Sequence, residues 1–267
     1  MSGVAMELTD TQFHRYARHL ALDEIGEDGQ LKLLASKVLI IGAGGLGSPL
    51  LLYLAAAGIG RIGVVDDDRV DISNLQRQII HRDGSIGTLK VDSAQASLAA
   101  LDPAIQIDRH AVRLDPDNVD TLVVSYDIIV DGSDNFATRY LLNDTCVRHG
   151  KTLVSAALMR FEGQLSTFKP HAGAAHPCYR CVFPEPPPAD LIPRCVEVGV
   201  LGVTAGVLGT LQATEVIKEL LGLGTSLSGT LLMYDALATS FYKVQVTRDP
   251  HCASCGAAAS APATSSA

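Results

Sequence analysis

Short apolar runs and helical patterns alternate along the first half of the chain. Residues 38–41 are four consecutive apolar residues, which is typical of a buried strand. A glycine-rich turn follows over 42–47, and the apolar and small residues of 49–57 have the composition of a packed helix. The pattern predicts a strand, a tight turn and a helix that packs against the strand.

The same alternation continues to about residue 155. It predicts further strands over 61–66, 105–112, 127–134 and 152–155, and helices over 89–101 and 135–148. Repeated strand and helix units build a doubly wound, mainly parallel sheet of the Rossmann-like α/β class. In such a sheet, the side chains that bind ligands collect at the carboxyl ends of the strands.

The segments on either side of this region follow other patterns. Before it, apolar residues at 13, 16, 17 and 20 have helical spacing behind a cap at Thr9 or Asp10, and a second short helix is predicted over 28–35. After it, the sequence predicts an antiparallel strand over 163–168, a buried helix from Thr204 or Ala205, and two more strands over 231–235 and 241–246. The tail over 257–267 is rich in Ala, Ser and Pro, and we expect it to be disordered.

Composition narrows the class of protein. Hydrophobic residues make up 47% of the 267 residues, as in a globular protein, and the formal net charge is −8 with a pI near 5.4. Nonspecific binding to nucleic acid or to an anionic membrane needs a basic surface, so neither is expected. No apolar run reaches the roughly 18–20 residues of a membrane span, and the start of the chain lacks the pattern of a signal peptide. We therefore expect a cytoplasmic protein.

The turn at 42–47 has the spacing G-x-G-x-x-G. Gly42 and Gly44 let the backbone turn sharply and approach a ligand, and the free N–H groups of the following helix face phosphates in nucleotide-binding folds. Asp66 ends the next strand, 19 residues after Gly47, where an acid accepts hydrogen bonds from ribose hydroxyls. The pattern indicates a nucleotide, although a glycine turn can serve packing alone and an acid can belong to a solvated turn.

Three more charged residues distinguish between kinds of nucleotide. Arg77 and Lys90 are candidates for phosphate binding, and Asp134, at a strand end, is a candidate for binding a divalent cation. Magnesium prefers one or two carboxylates together with phosphate oxygens, and cationic side chains stabilise charge on a transferring phosphate. Together these residues favour a triphosphate over a dinucleotide, although each of them alone could lie on the surface.

Four of the six cysteines form two C-x-x-C pairs. Cys178 and Cys181 are separated from Cys252 and Cys255 by 70 residues. Four thiolates suit a tetrahedral zinc ion with no open position, so the site would be structural. The alternative is unrelated cysteines or two redox pairs, but no thioredoxin-type pattern surrounds either pair. Cys146 falls inside a helical pattern and is expected in the core.

These motifs together resemble those of a known family, the ThiF/MoeB/HesA group of E1-like adenylyltransferases. The resemblance covers about residues 8–256 and rests on the glycine turn, the run 73–78 (SNLQRQ), Lys90, the run 133–135 (SDN), the two C-x-x-C pairs and the run 195–202 (CVEVGVLG). It implies ATP- and Mg²⁺-dependent adenylation of the C-terminal glycine of a ubiquitin-like sulfur carrier, of the molybdopterin or the thiamine pathway. The products would be an acyl-adenylate and pyrophosphate, with thiocarboxylate formation as a later step.

The resemblance also implies roles for individual residues. With Gly42 and Gly44, the nucleotide-binding set becomes Gly45, Asp66, Ser73, Asn74, Leu75, Gln76, Arg77, Lys90, Asp134 and Asn135. Asp134 matches the magnesium-binding, catalytic aspartate, beside Arg77 and Lys90. Arg18 matches an arginine that reaches across a homodimer interface to the ATP phosphates, whereas its basic neighbours alone would predict a solvated helix face. The four paired cysteines match the zinc ligands.

A Pro-rich segment at 184–190 precedes Cys195 and resembles the crossover loop over which the carrier tail is threaded. In some members the matching cysteine becomes covalently linked to the carrier, and in others it is dispensable, so a covalent step at Cys195 stays open. Longer members add a C-terminal rhodanese domain that supplies sulfur. This sequence has no such domain, so a separate sulfur donor protein is expected.

We expect one adenylation domain over 1–256. Its parts would be an N-terminal helical segment (about 8–36), a nucleotide-binding part (about 37–160) and a carrier-binding and zinc part (about 161–256). Two other functions stay as alternatives. An NAD-dependent oxidoreductase would use the same glycine turn but would leave Arg77, Lys90 and Asp134 unexplained. A non-catalytic, zinc-stabilised scaffold would have kept the shape of the site and lost the reaction.

Overall fold

The structure is a computed structural model, and it describes residues 7–188 and 199–256. Within these ranges, one mixed sheet of eight strands runs through the molecule. The strands are β1 (Lys37–Ile41), β2 (Arg61–Val65), β3 (Gln106–His110), β4 (Ile128–Asp131), β5 (Thr152–Met159), β6 (Glu162–Phe168), β7 (Thr230–Asp235) and β8 (Ser240–Gln245). Each predicted strand has a counterpart among these, which confirms the α/β fold class.

The strand order is β3-β2-β1-β4-β5-β6-β7-β8. The five strands from β3 to β5 are parallel, and β6, β7 and β8 continue the sheet in antiparallel fashion. Ile41 at the end of β1 pairs with Val65 at the end of β2 and with Asp131 at the end of β4. The carboxyl ends of β1, β2 and β4 therefore meet at one edge, where the direction of strand addition reverses. A reversal of this kind opens a crevice for a ligand.

Helices cover both faces of the sheet. They are α1 (Asp10–Arg15), α2 (Ala17–Leu20), α3 (Gly26–Ala35), α4 (Gly47–Ala56), α5 (Lys90–Leu101), α6 (Val119–Val124), α7 (Phe136–Arg148), α8 (Tyr179–Val182) and α9 (Gly202–Leu221). Short 3-10 helices are present at Ile72–Asn74, Asp83–Ser85 and Pro170–Ala172. Within the described residues, no helix is both long and apolar enough to cross a membrane.

The core has two layers, one on each face of the sheet. Val38 and Ile40 of β1 pack in the layer that contains α4, α5 and α9, whereas Leu39 and Ile41 pack in the layer that contains α6 and α7. Successive residues of a strand point to opposite faces, so a continuous apolar run is what a strand covered on both sides requires. Cys146 lies in the second layer, which confirms its expected place in the core.

The N-terminal segment differs from its prediction in one respect. Thr9 caps α1, since its hydroxyl accepts a hydrogen bond from the Gln12 backbone N–H, as expected. The helix then breaks at Tyr16, whose backbone (φ −98°, ψ 12°) is not helical. Tyr16 is buried beside Gly58, while Phe13 of the same predicted apolar stripe stays 54% exposed. The break places the Tyr16 side chain in the core, and it separates α1 from α2.

Two expectations fall on residues outside the described ranges. Cys195, together with most of the segment around it, lies between residues 188 and 199. The tail predicted to be disordered, 257–267, follows the last described residue.

Candidate functional site

A cavity of about 420 Å³ opens at the carboxyl ends of β1, β2 and β4. It brings together eight of the residues predicted from the sequence for a nucleotide site: Gly42, Gly44, Gly45, Asp66, Arg77, Lys90, Asp134 and Asn135. These residues come from segments spread over more than ninety positions of the chain. The sheet reversal therefore puts the glycine turn, two cations and two acids around one space.

The floor of the cavity is the glycine turn, whose backbone excludes other residues. Gly42 has φ +96°, and a Cβ atom there would lie 2.9 Å from the carbonyl oxygen of Gly132. At Gly47, the first residue of α4, a Cβ atom would lie 1.9 Å from the carbonyl oxygen of Gly42. Both positions need glycine because the turn folds back on itself and on the end of β4.

Asp66 connects this turn to the end of β2. Its Oδ2 accepts a hydrogen bond from the Ala43 backbone N–H (2.8 Å), and its Oδ1 accepts one from the Asp68 N–H (2.9 Å). Burial raises the pKa of the Asp66 carboxyl, against the opposing effects of Lys90 and of the two N–H groups. The side chain thus holds the glycine turn in place while its oxygens stay at the cavity wall.

The two predicted cations lie on the cavity wall. Lys90 begins α5 and is buried; its Nζ is 2.7 Å from Asp68 Oδ2 and 4.0 Å from Asp66 Oδ1. Arg77 is half-buried, and its Nη1 donates a hydrogen bond to the Ser73 carbonyl oxygen (2.9 Å). Cations at the end of a helix-lined crevice suit a ligand with several negative charges.

Asp134 differs from Asp66 in being exposed. No residue of the described chain forms a hydrogen bond or an ion pair with its carboxylate. Asn135, next to it, caps α7, since its Oδ1 accepts a hydrogen bond from the Thr138 N–H (2.9 Å). The helix start therefore fixes the backbone at Asp134 and leaves its oxygens available to a cation.

Other predicted residues lie outside the cavity. Ser73, Asn74, Leu75 and Gln76 form the turn that leads to Arg77, and Asp71 caps this turn by accepting hydrogen bonds from Ser73. Arg18 is exposed on α2 and has no hydrogen-bond or ion-pair partner among the residues that the structure describes. Their roles in binding ATP stay predictions.

Sequence reasoning missed residues that shape the same cavity. Arg139 lies on its wall with a buried guanidinium, which donates to the Ser133 carbonyl oxygen (2.9 Å) and is 3.8 Å from Asp131. Gln78 lines it too, with an Oε1 that has no partner within the described residues. The sequence did contain a signal for Arg139, because it lies four residues after the cap residue Asn135. Residues at this spacing lie on the same face of a helix, so Arg139 is on the face that starts at the cavity.

The four paired cysteines form a cluster at the other end of α7. Cys178 Sγ lies 3.8 Å from Cys181 Sγ and 3.5 Å from Cys252 Sγ, and the Sγ atoms of Cys181 and Cys255 are 3.5 Å apart. Zinc–sulfur bonds of about 2.3 Å separate the sulfur atoms of a tetrahedron by about 3.8 Å, so the cluster fits a zinc ion. Without a metal, the hydrogen bond between Cys178 and Cys181 lowers the pKa of the Cys181 thiol and raises that of Cys178, while burial raises the pKa of Cys255.

Comparison with known proteins identifies the family. The sequence model of the ThiF family matches residues 16–255, most of the chain. The chain belongs to the ThiF family. E. coli MccB, solved with MccA-N7isoASN, has the same fold with a TM-score of 0.76 at 24% identity, over 91% of this chain and 75% of that one.

Two relatives illustrate how far this ThiF-family chain extends. It is 52% identical over 250 residues to the adenylyltransferase and sulfurtransferase MOCS3 of Sus scrofa, which covers 93% of this chain and 54% of that protein. It is 47% identical over 255 residues to the sulfur carrier protein adenylyltransferase of Thermus thermophilus, covering 94% of this chain and 93% of that protein. The chain thus spans about half the length of the first relative and nearly all of the second.

Proposed function

We propose that this ThiF-family protein adenylates the C-terminal glycine of a ubiquitin-like sulfur carrier, using ATP. The observation that carries the proposal is the cavity that combines the glycine turn with Lys90, Arg77 and Asp134, whose carboxylate has no partner among the described residues. Relatives named as adenylyltransferases, one of them a sulfur carrier protein adenylyltransferase, support the same reaction. The products are a carrier acyl-adenylate and pyrophosphate.

The carrier's own carboxylate is the nucleophile in this reaction, so the enzyme does not need to activate one. It attacks the α-phosphorus of ATP, an acyl–phosphate bond forms, and the bond to pyrophosphate breaks. Lys90 and Arg77 neutralise charge on the phosphates, while the glycine turn and the start of α4 orient them. The nicotinamide alternative gives these two cations no role.

Two metal ions belong to this proposal. Magnesium, which neutralises charge on the phosphates and on the departing pyrophosphate, would be held by Asp134 at the mouth of the cavity. Zinc would be held by Cys178, Cys181, Cys252 and Cys255, whose sulfur spacing suits tetrahedral coordination. A closed set of four thiolates leaves no position for substrate, so the zinc contributes stability and no chemistry.

The active unit is proposed to be a homodimer. Arg18 is a long cation without a partner among the described residues of its own chain, and it lies outside the cavity. The family resemblance gives the matching arginine a place at the phosphates of the neighbouring subunit. Each site would then be completed by two chains.

Two interpretations of Cys195 stay open, a covalent link to the carrier and no chemical role, because this residue lies outside the described residues. A Cys195→Ala variant that adenylates the carrier but yields no thiocarboxylate would indicate a covalent step, and full thiocarboxylate yield would exclude one. The same assay, run with and without candidate sulfurtransferases, tests the expectation of a separate sulfur donor. Carriers of the molybdopterin and thiamine types, assayed side by side, test the pathway.

Carrier-dependent exchange of labelled pyrophosphate into ATP tests the proposed function. With Mg²⁺, ATP and a carrier that ends in Gly-Gly, we expect labelled ATP, because the adenylation step is reversible while the adenylate stays bound. A carrier shortened by its last glycine is the matched control and should support no exchange. Failure of exchange with every intact carrier would contradict the proposal for those carriers.

A further inference from the structure

Two neighbouring residues of α7, Asn143 and Asp144, contact both C-x-x-C turns. Asn143 Oδ1 accepts a hydrogen bond from the Tyr179 backbone N–H (2.8 Å), inside the first turn. Asn143 Nδ2 donates to Ser254 Oγ (3.2 Å), inside the second turn. Asn143 is 1% exposed, so a lost partner would leave a buried amide unsatisfied.

Asp144 repeats this bridge with charged contacts. Both of its carboxylate oxygens accept from Arg180 of the first turn: Nε to Oδ1 and Nη2 to Oδ2, each at 2.8 Å. Oδ1 also accepts from Ser254 Oγ of the second turn (2.7 Å). A bidentate pair between an arginine and a carboxylate fixes the direction as well as the distance between its partners.

Apart from a hydrogen bond between the two residues themselves (Asn143 Nδ2 to Asp144 Oδ1, 3.0 Å), the side-chain partners given above lie between paired cysteines. Tyr179 and Arg180 stand between Cys178 and Cys181, and Ser254 stands between Cys252 and Cys255. Four thiolates repel one another until a cation joins them, and the two turns are far apart in sequence. Contacts outside the cysteines can therefore help to bring the turns together.

We propose that Asn143 and Asp144 form a clamp on α7 that holds the two C-x-x-C turns in the arrangement a zinc ion requires. The clamp acts as a positioning device: it contacts neighbours of the ligands and orders the four sulfur atoms before and after the metal binds. The inference rests on the zinc site proposed above, and it does not depend on the adenylation reaction.

The clamp also gives the metal cluster a defined anchor. Helix α7 starts directly after Asp134 and Asn135 and carries Arg139 on the cavity wall, about one and a half turns before the clamp ends at Asp144. The cysteine cluster is therefore attached to the helix that borders the nucleotide cavity.

The test is the rate at which the full-length protein releases zinc to a chromogenic chelator. Asp144→Asn weakens the pair with Arg180, and Ser254→Ala removes the hydroxyl that both clamp residues share. We expect each variant to release zinc about 10-fold faster than the wild type, the lower end of the effect of losing a direct partner of a metal ligand, because the clamp contacts neighbours of the cysteines. Cobalt(II)-substituted protein gives a second readout, because its absorption bands report the geometry of the four thiolates.

Two matched variants control for general effects. Asp120→Asn alters another acid that pairs with an arginine of α7, Arg148, without contacting a C-x-x-C turn. Ser254→Thr keeps the shared hydroxyl. Both should release zinc at the wild-type rate and keep the wild-type cobalt spectrum.

Three results would overturn the clamp. One is wild-type release rates and spectra in both Asp144→Asn and Ser254→Ala; another is equal acceleration in Asp120→Asn. The third is a wild-type protein that binds no zinc, which would also remove the zinc site. Pyrophosphate exchange, measured separately on the same proteins, reports on adenylation, so a failure there would leave these results unaffected.

Discussion

Asp66 and Asp134 are two aspartates on the wall of the same cavity, but their surroundings differ. Asp66 is buried and has two backbone N–H groups as partners, so its position is fixed by the fold. Asp134 is exposed and has no partner within the described chain. A carboxylate that contributes nothing to its own fold is well suited to bind a cation that arrives with the substrate.

Replacing Asp134 with Ala should therefore separate activity from stability. We expect carrier-dependent pyrophosphate exchange to fall by about 10²-fold or more, while the melting temperature and the zinc content stay at wild-type values. Asp117→Ala, which removes an exposed acid outside the cavity, is the control and should keep full activity. Undiminished exchange in Asp134→Ala would reject its assigned role.

His81 forms a hydrogen bond to the glycine turn, and its surroundings predict that the stability of the fold depends on pH. Its Nε2 donates to the Ala43 carbonyl oxygen (2.9 Å), and its Nδ1 lies 2.9 Å from Ser93 Oγ. Burial, with the charge of Lys90, lowers the pKa of His81 despite the hydrogen bond to Ala43. As pH falls below about 6.5, the unfolded chain takes up the proton first, so the free energy of unfolding should decrease.

A His81→Gln variant isolates this contribution, because a glutamine amide donates a hydrogen bond and does not titrate. Urea unfolding of both proteins across a pH series should show that the wild type loses more stability than the variant below about pH 6.5. Parallel pH profiles for the two proteins would show that His81 does not cause the loss.

At the scale of elements, the close packing of α4 against α9 depends on a glycine of α9. Helix α9 approaches the start of α4 at Gly209, where a Cβ atom would lie 2.4 Å from the Leu46 carbonyl oxygen. At Gly206, one turn earlier in α9, a Cβ atom would meet no described residue within 4 Å. The two glycines of one helix therefore serve different purposes.

This difference gives a matched pair of variants. Gly209→Ala should destabilise the protein by about 1–3 kcal/mol, because the added methyl group overpacks the contact with Leu46. Gly206→Ala should stabilise it by about 0.5–1 kcal/mol, because alanine is the better helix former. Urea unfolding measures both, and a stabilising Gly209→Ala would contradict the packing described here.

The sequence predicted elements well where their structure depends on neighbouring residues, and less well where it depends on tertiary contacts. The apolar run of β1 and the cap at Thr9 depend on neighbours in sequence, and both predictions were confirmed. The break at Tyr16 and the short helix α6 were missed. Tyr16 leaves the helix because its ring fills a space beside Gly58, which periodicity in α1 cannot reveal.

At the scale of the whole molecule, the cavity follows from the order of the strands. Alternating strands and helices predicted a parallel sheet, and from it the gathering of Asp66 and Asp134 at one edge. The Asn143 clamp could not be predicted, because it depends on which elements pack together. The hydrogen bond from Asn143 to Ser254, for example, joins residues 111 positions apart.

The proposed dimer can be tested by mixing two inactive variants. An Arg18→Ala subunit cannot supply the arginine to the site of its neighbour. An Asp134→Ala subunit lacks the aspartate of its own site. In a mixed dimer, one site combines an intact cavity with an intact Arg18, so activity should return after subunit exchange. A mixture of Lys90→Ala and Asp134→Ala has no intact cavity and should stay inactive. No recovery in the first mixture would place Arg18 outside the neighbouring site.

The intact mass of the carrier tests the central claim most directly. The protein would be incubated with ATP, Mg²⁺ and carriers of the molybdopterin and thiamine types that end in Gly-Gly, and each carrier would be weighed by mass spectrometry. We predict that at least one carrier gains the mass of one adenylate, and that the gain is absent with Asp134→Ala. No adenylate on any carrier, with ATP bound and the protein folded, would contradict the proposed function for those carriers.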